Sequence, residues 1–203
     1  MSTITTIRHK PTVVYPENDG LPLADNTRQF RWIMTIQGGL DAQHLDDLNV
    51  FVAGNLLWYP VEGDNKIRVA PDIFVAFGRP KGDRGSYQLW LEGNIAPQVV
   101  FEIVSPGNTA GILTEKFNFY NEHGVEEYYL YDPDYNSLDG WLRKSGRLTK
   151  IQRMAFWVSP LLGIKFDLVG DELRILGKNG EPFVRTVSPL WPPRKLFDNE
   201  MRR

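Results

Sequence analysis

The segment Val99-Val100-Phe101-Glu102-Ile103-Val104 constrains this chain more than any other. A short apolar run rich in β-branched residues reads as a strand covered on both faces, the kind found in a sheet sandwiched between helices. One residue breaks the pattern. A carboxylate placed there loses its hydration, at a cost on the order of several kcal/mol for an unpaired ion. A metal ion, a cationic side chain or a raised pKa must offset that loss. The rest of the chain is therefore expected to supply a partner for Glu102.

The surrounding pattern gives the elements. Residues 41–57 place Leu45, Leu48, Val52 and Leu56 at helical spacing and predict a first helix, with Asn55 on its apolar face, seven after Leu48 and three after Val52. Residues 66–77 read as strand interrupted at Pro71-Asp72, residues 79–86 as a polar Gly-rich turn, and residues 87–91 as a short strand. Ser105-Pro106-Gly107-Asn108-Thr109 breaks the central run and can cap a helix that ends near Glu122, before Gly124. Glu127–Asp132 predicts another strand and Asn136–Arg143 its hairpin return. From residue 148 onward the pattern is β-rich, with turns near Gly163, Gly170 and Lys178-Asn179-Gly180. A strand, crossover helix and strand imply parallel pairing. The expected fold is α/β or α+β with a mixed central sheet and added β-hairpins. With 203 residues the chain supports one substantial core. The expected organisation is an irregular arm over 1–26, a single domain over 27–190 and a tail over 191–203.

Composition removes several classes of chemistry. There is no cysteine, which excludes disulfides, thiolate zinc sites and cysteine nucleophiles and suits a reducing, cytoplasmic setting. No apolar stretch is long enough to cross a bilayer, and the N-terminus lacks the charged-then-apolar order of a signal peptide. The net charge of −2 does not favour binding to phosphate backbones. Local basic clusters exist all the same: Arg79, Lys81 and Arg84 in GRPKGDRG, then Arg143, Lys144, Arg147, Lys150 and Arg153. Scattered cations of this kind are usually solvated surface.

Two further residues could meet Glu102. Asp72 follows Pro71 and precedes the apolar segment Ile73–Phe77; by itself it also reads as a turn residue. Lys116 lies within the stripe Ile112, Leu113, Phe117, Tyr120 of the helix that directly follows the Glu102 strand. An isolated lysine there would be read as an apolar stem with a wet head. Two carboxylates and a lysine suit a hydrolytic metal site. Asp72 and Glu102 would anchor Mg²⁺, which prefers oxygen donors and keeps several waters. Lys116 would orient the attacking water or stabilise developing negative charge. Asn55 could hold a water or a metal ligand, or equally be a core amide bonded to backbone.

With those residues in view, the segments VAPDIFVAFG, VVFEIVSPGNT and KFNFYNEHGVEEYYLYDPD together resemble the Uma-type family of restriction-endonuclease-like proteins, within the PD-(D/E)XK nuclease superfamily. The resemblance spans roughly residues 40–170. It implies a mixed sheet flanked by helices and a Mg²⁺-dependent phosphodiesterase centre, with Mn²⁺ as a substitute. It matches Asp72 and Glu102 to the two acidic positions that hold the metal. The superfamily usually places lysine two residues after the second acid, where this chain has Val104; in Uma-type proteins a lysine of the next helix takes that role, and Lys116 stands there. Ser105 and Tyr120 are candidates for the surround of the cleft. Where the superfamily often supplies an acid from the first helix, the candidate here is Asn55, a neutral residue. The resemblance further implies DNA as substrate and a homodimer cutting two strands; the basic loop with Arg79, Lys81 and Arg84 could touch the DNA backbone. The competing expectation is a nuclease-fold binding or assembly module that is catalytically weak or has lost turnover.

Overall fold

The apolar run is a strand with a neighbour on each side. The computed structural model describes residues 13–184; the expected tail over 191–203 lies outside them. After an irregular stretch, helix α1 spans Thr27–Gln43. Strands β1 (Val50–Gly54), β2 (Trp58–Tyr59), β3 (Ile73–Phe77) and β4 (Tyr87–Gln88) follow, then a short 3-10 turn at Leu89–Leu91. Strand β5 (Val99–Ile103) leads into α2 (Ala110–Glu122), which leads into β6 (Glu127–Asp132), β7 (Ser137–Lys144) and β8 (Arg147–Lys150). A small hairpin, β9 (Lys165–Asp167) and β10 (Arg174–Leu176), completes the described chain.

Six strands form the central sheet in the order β1-β3-β5-β6-β7-β8. Within this sheet only β5 and β6 pair in parallel, with Glu102 opposite Leu130, and the other neighbours are antiparallel; outside it β2 and β4 form a short parallel pair. The β5–β6 pair is the one joined through α2, as a crossover connection requires. The result is a mixed α+β fold.

Alternation along β5 divides the core. Val99, Phe101 and Ile103 join a cluster with Trp32, Ile33, Ile36 and Leu40 of α1 and with Phe166 and Ile175 of the small hairpin. Val100 faces the other way, among Phe51, Phe74, Tyr120 and Tyr128. Glu102 shares that second face, where α2 lies. Aromatic rings meet on that face: Phe117, Tyr128 and Trp141 contact one another, and Tyr120 contacts Tyr128.

The first helix is not where apolar spacing placed it. Of residues 41–57 only 41–43 are helical, as the end of α1; Val50–Gly54 is β1, and Leu45 and Leu48 are each 71% exposed in the preceding turn. The β-branched run Val50-Phe51-Val52 prefers a pleated strand, and the Asp47 carboxylate accepts the Asn49 N–H to hold the turn before it. The helix starts earlier because Asn26 caps it, its side chain accepting the N–H groups of Arg28 and Gln29. On α2 the expected stripe holds for Leu113, Phe117 and Tyr120, whereas Ile112 is exposed.

Asn55 accordingly is no helix residue. It follows β1 with φ 50°, and its N–H lies within reach of the carbonyls of Pro71 and Asp72 at 3.1 and 3.2 Å. It is a left-handed turn residue that anchors the backbone entering β3, and its effect on Asp72 runs through that backbone. Asn tolerates this conformation better than other residues with a Cβ. Replacing Asn55 with Gly should leave stability near wild type in urea denaturation, whereas Asn55→Ala should lose about 1 kcal/mol. A helical Asn55 would give the opposite sign, since Ala favours a helix and Gly disfavours it.

Candidate active site

Glu102 is 2% exposed, and both of its carboxylate oxygens are engaged. Lys116 Nζ lies 2.6 Å from Oε2, and the Tyr120 hydroxyl donates to Oε1. Both partners come from α2, one turn apart, which is why a helix following this strand can serve the acid with two donors. Lys116 Nζ also lies 3.5 Å from the Ala70 carbonyl. Burial alone would lower the Lys116 pKa, but the charges of Glu102 and Asp72 outweigh it and hold it above its ordinary value. Lys116 is therefore a charged donor at neutral pH. Burial, followed by the charge of Glu102, raises Tyr120 well above the usual phenol value, so its hydroxyl keeps its proton.

Asp72 arrives from the neighbouring strand. Ile73 pairs with Phe101, so one step further along the antiparallel ladder Asp72 comes level with Glu102. Asp72 is 6% exposed. Its Oδ2 accepts the Ile103 N–H at 2.7 Å and lies 3.4 Å from the Gln29 amide nitrogen. Its pKa is pushed up to about 7, first by burial and then by the Glu102 charge, with Lys116 opposing. The structure thus brings together the three residues singled out in the sequence: Asp72, Glu102 and Lys116.

Gln29 was not singled out. Its amide donates to the Ile103 carbonyl at 3.1 Å and its oxygen accepts the Asp25 N–H at 2.8 Å, so it ties α1 to the ends of β5 and β3. The first helix does offer a neutral residue to the acid pair, and that residue is Gln29. Its signal is a polar side chain on the face that carries Trp32, Ile33, Ile36 and Leu40. That signal becomes legible once the helix is placed correctly. Ser105 is buried just past β5; its hydroxyl donates to the Asp25 carboxylate and its N–H to Asn108 Oδ1 at 2.9 Å. It fixes the loop between β5 and α2 and makes no hydrogen bond to Glu102.

The pair suits a hard divalent cation. Asp72 Oδ1 accepts no hydrogen bond from any described residue, since both donors reach Oδ2. Each Glu102 oxygen has a second lone-pair site beyond the bond it already accepts. Among the described residues no group of three or more Asp, Glu or His side chains could hold a metal ion. Asp72 and Glu102 would therefore leave most positions of an octahedral ion to water or substrate, as Mg²⁺ sites commonly do.

The fold and this corner, an acid at the edge of one strand, an acid within the next and a lysine from the crossover helix, define a restriction-endonuclease-like α+β protein. Residues 22–168 match the family Uma2, described as "Putative restriction endonuclease", and the chain belongs to that family. A solved structure described as a "putative nuclease belonging to DUF820", from Anabaena variabilis, has the same fold, with a TM-score of 0.51 over 68% of this chain and 75% of that one at 16% identity. No curated protein matches the chain.

The basic loop is turned inward. Arg79 Nε lies 2.8 Å from Glu92 Oε2 and Arg84 Nε 2.6 Å from Glu92 Oε1. Arg84 also covers the Phe51 ring at 3.8 Å, and Lys81 Nζ lies 3.2 Å from the Val50 carbonyl. None of the three bonds to Asp72, Glu102 or Lys116. Burial pushes the Glu92 carboxyl up, but hydrogen bonds and charge from Arg84 and Arg79 outweigh it and hold it below 4.5. In the unfolded chain Glu92 titrates near that ordinary value. The stabilisation from the triad is therefore complete above pH 4.5 and is lost as pH falls through the lower, folded value. Glu92→Gln should flatten that acid limb of a pH–stability profile. At neutral pH it should cost on the order of 2–4 kcal/mol, because two cations lose their counter-charge.

Proposed function

We propose that the chain is a nuclease that hydrolyses DNA phosphodiester bonds at the Asp72–Glu102–Lys116 corner, with Mg²⁺ or Mn²⁺ held by the two carboxylates. The observation that carries this reading is the convergence of two buried acids and a charged lysine, delivered by three separate elements to one end of the sheet.

A bound divalent cation would acidify a water and neutralise phosphate charge. The remaining work belongs to the chain. Asp72 is held by the Ile103 N–H and Gln29, so its free oxygen keeps a fixed direction. Tyr120 fixes one oxygen of Glu102 and leaves Lys116 on the other. Lys116 is protonated and serves as a hydrogen-bond donor and fixed positive charge for phosphate oxygens as negative charge grows on them; it does not take a proton from water. Rigid placement of this kind lowers the reorganisation needed during reaction.

The second reading is a nuclease-fold binding or assembly module without turnover. It draws on the closed network around Glu102, whose oxygens are both already bonded within the protein. Cleavage of plasmid and oligonucleotide DNA separates the two readings. Under the nuclease reading, wild type cuts in Mg²⁺ and stops cutting in chelator. Glu102→Gln and Lys116→Gln each lower the rate by roughly a hundredfold or more, while circular dichroism and melting temperature show a folded protein. Absence of cutting by wild type on single- and double-stranded substrates with Mg²⁺ or Mn²⁺ favours the module.

A further inference from the structure

The sheet face beside the acid pair carries a feature that phosphodiester hydrolysis leaves unused. Glu102 pairs with Leu130, and Leu130 pairs with Asp139, so these side chains stand in one rung on the face that α2 covers. With neighbouring strands about 4.8 Å apart, Asp139 lies two spacings, roughly 10 Å, from Glu102. Between that rung and α2 is a groove of about 270 Å³. Leu113 and Phe117 of α2 form one wall, Tyr128 and Leu130 the floor, and Asp139 and Trp141 the far wall. It is smaller than the roughly 300–1,000 Å³ of sites for drug-sized ligands and suits one planar ring system.

Its chemistry is that of a stacking site with a polar handle. Tyr128 and Trp141 stack with ring centroids 5.0 Å apart and planes 18° from parallel, and Phe117 meets Trp141 at 5.5 Å. The Tyr128 hydroxyl is buried, on a residue 1% exposed, and has no hydrogen-bond partner. An unpaired buried hydroxyl is destabilising unless something occupies it. Burial, then the charges of Glu102, Asp72 and Asp139, push this phenol up, so it remains a donor in the field of the acid pair. Asp139 supplies an acceptor at the rim, 2.8 Å from Lys150 Nζ, and that ammonium also lies 5.7 Å from the Trp141 ring centre. Further along, Lys144, Arg147 and Arg153 are exposed and have no acidic partner among the described residues.

We propose that this groove takes one unstacked nucleobase of a strand whose backbone passes the Asp72–Glu102 corner, so that single-stranded or frayed ends are the preferred substrate. The proposal rests on the nucleic-acid reading above and adds the substrate class. Aromatic planes, one donor, one acceptor and a cationic rim match a base with its phosphates. A base kept stacked and paired in a duplex cannot enter a groove of this size.

The test measures binding rather than cutting. Fluorescein-labelled oligothymidine with phosphorothioate linkages, which resist hydrolysis, is titrated with the full chain in Mg²⁺. The same strand annealed to oligoadenine, and an abasic strand of equal length, are titrated alongside. Wild type should bind the single strand roughly tenfold more tightly than either comparison, the range expected for stacking one base. Tyr128→Phe removes only the unpartnered hydroxyl, so it should melt no lower than wild type. It should nevertheless lose about fivefold in affinity for the single strand and nothing for the abasic one, the size of one hydrogen bond. Trp141→Ala should lose more, and Trp141→Phe should restore most of it. Equal affinity for all three strands, or a Tyr128→Phe variant that binds the single strand like wild type, overturns the groove proposal and leaves the nuclease reading standing. Failure to bind any strand overturns both.

Discussion

A carboxylate buried in the middle of a sheet sets the terms for the rest of this structure. A carboxylate on an apolar strand needs hydrogen-bond donors, and the chain delivers two of them to Glu102 from the helix that follows. Lys116 and Tyr120 fix how α2 lies across the sheet, because both must point at the same acid. The connection from β5 through α2 to β6 is thereby anchored at its start by electrostatics as well as by packing. Asp72 adds a second acid level with the first, and its own donors come from the β5 backbone and from α1. One corner of the molecule ties together β3, β5 and both helices.

That arrangement leaves an imbalance. Two acids face one lysine, and the cost falls on Asp72, whose ionisation burial and Glu102 resist. The corner thus carries excess negative charge and a carboxylate oxygen, Asp72 Oδ1, that accepts no hydrogen bond from a described residue. The neutral Gln29, where an acid would have deepened the imbalance, keeps the corner at two carboxylates. The basic residues that looked available for a phosphate backbone in the loop 79–84 are occupied by Glu92 and a backbone carbonyl. Exposed positive charge lies instead on and just beyond the β7–β8 hairpin.

How much of this could be read from the residues follows from where the signals were strong. The Val99–Val104 run has a single interpretation as a doubly covered strand, and β5, α2 and β6 appear where their patterns place them. Lys116 was legible because it interrupts a helical stripe beside a strand already known to need a cation. The first helix was misplaced because Leu45, Leu48, Val52 and Leu56 have helical spacing by coincidence, across a turn and a strand, while the true helix carries the pair Gly38-Gly39 and no acid in its first turn. That error carried Asn55 with it and hid Gln29. The inward folding of Arg79 and Arg84 depended on a tertiary partner, Glu92, that no local pattern announces.

Arg143 reaches back from β7 to the end of α2, where its guanidinium donates to the carbonyls of Tyr120, Asn121, Val125 and Gly146 at 2.7 to 3.2 Å. The last carbonyls of a helix have no partners within it and carry partial negative charge, so a cation held there steadies the whole rod. Tyr120 belongs to that last turn, and Lys116 is one turn before it. The helix turn that carries Tyr120 is thus tied at its carbonyls to a hairpin of the central sheet. A change in that hairpin therefore reaches the acid corner through the helix backbone, without altering any residue that faces Glu102.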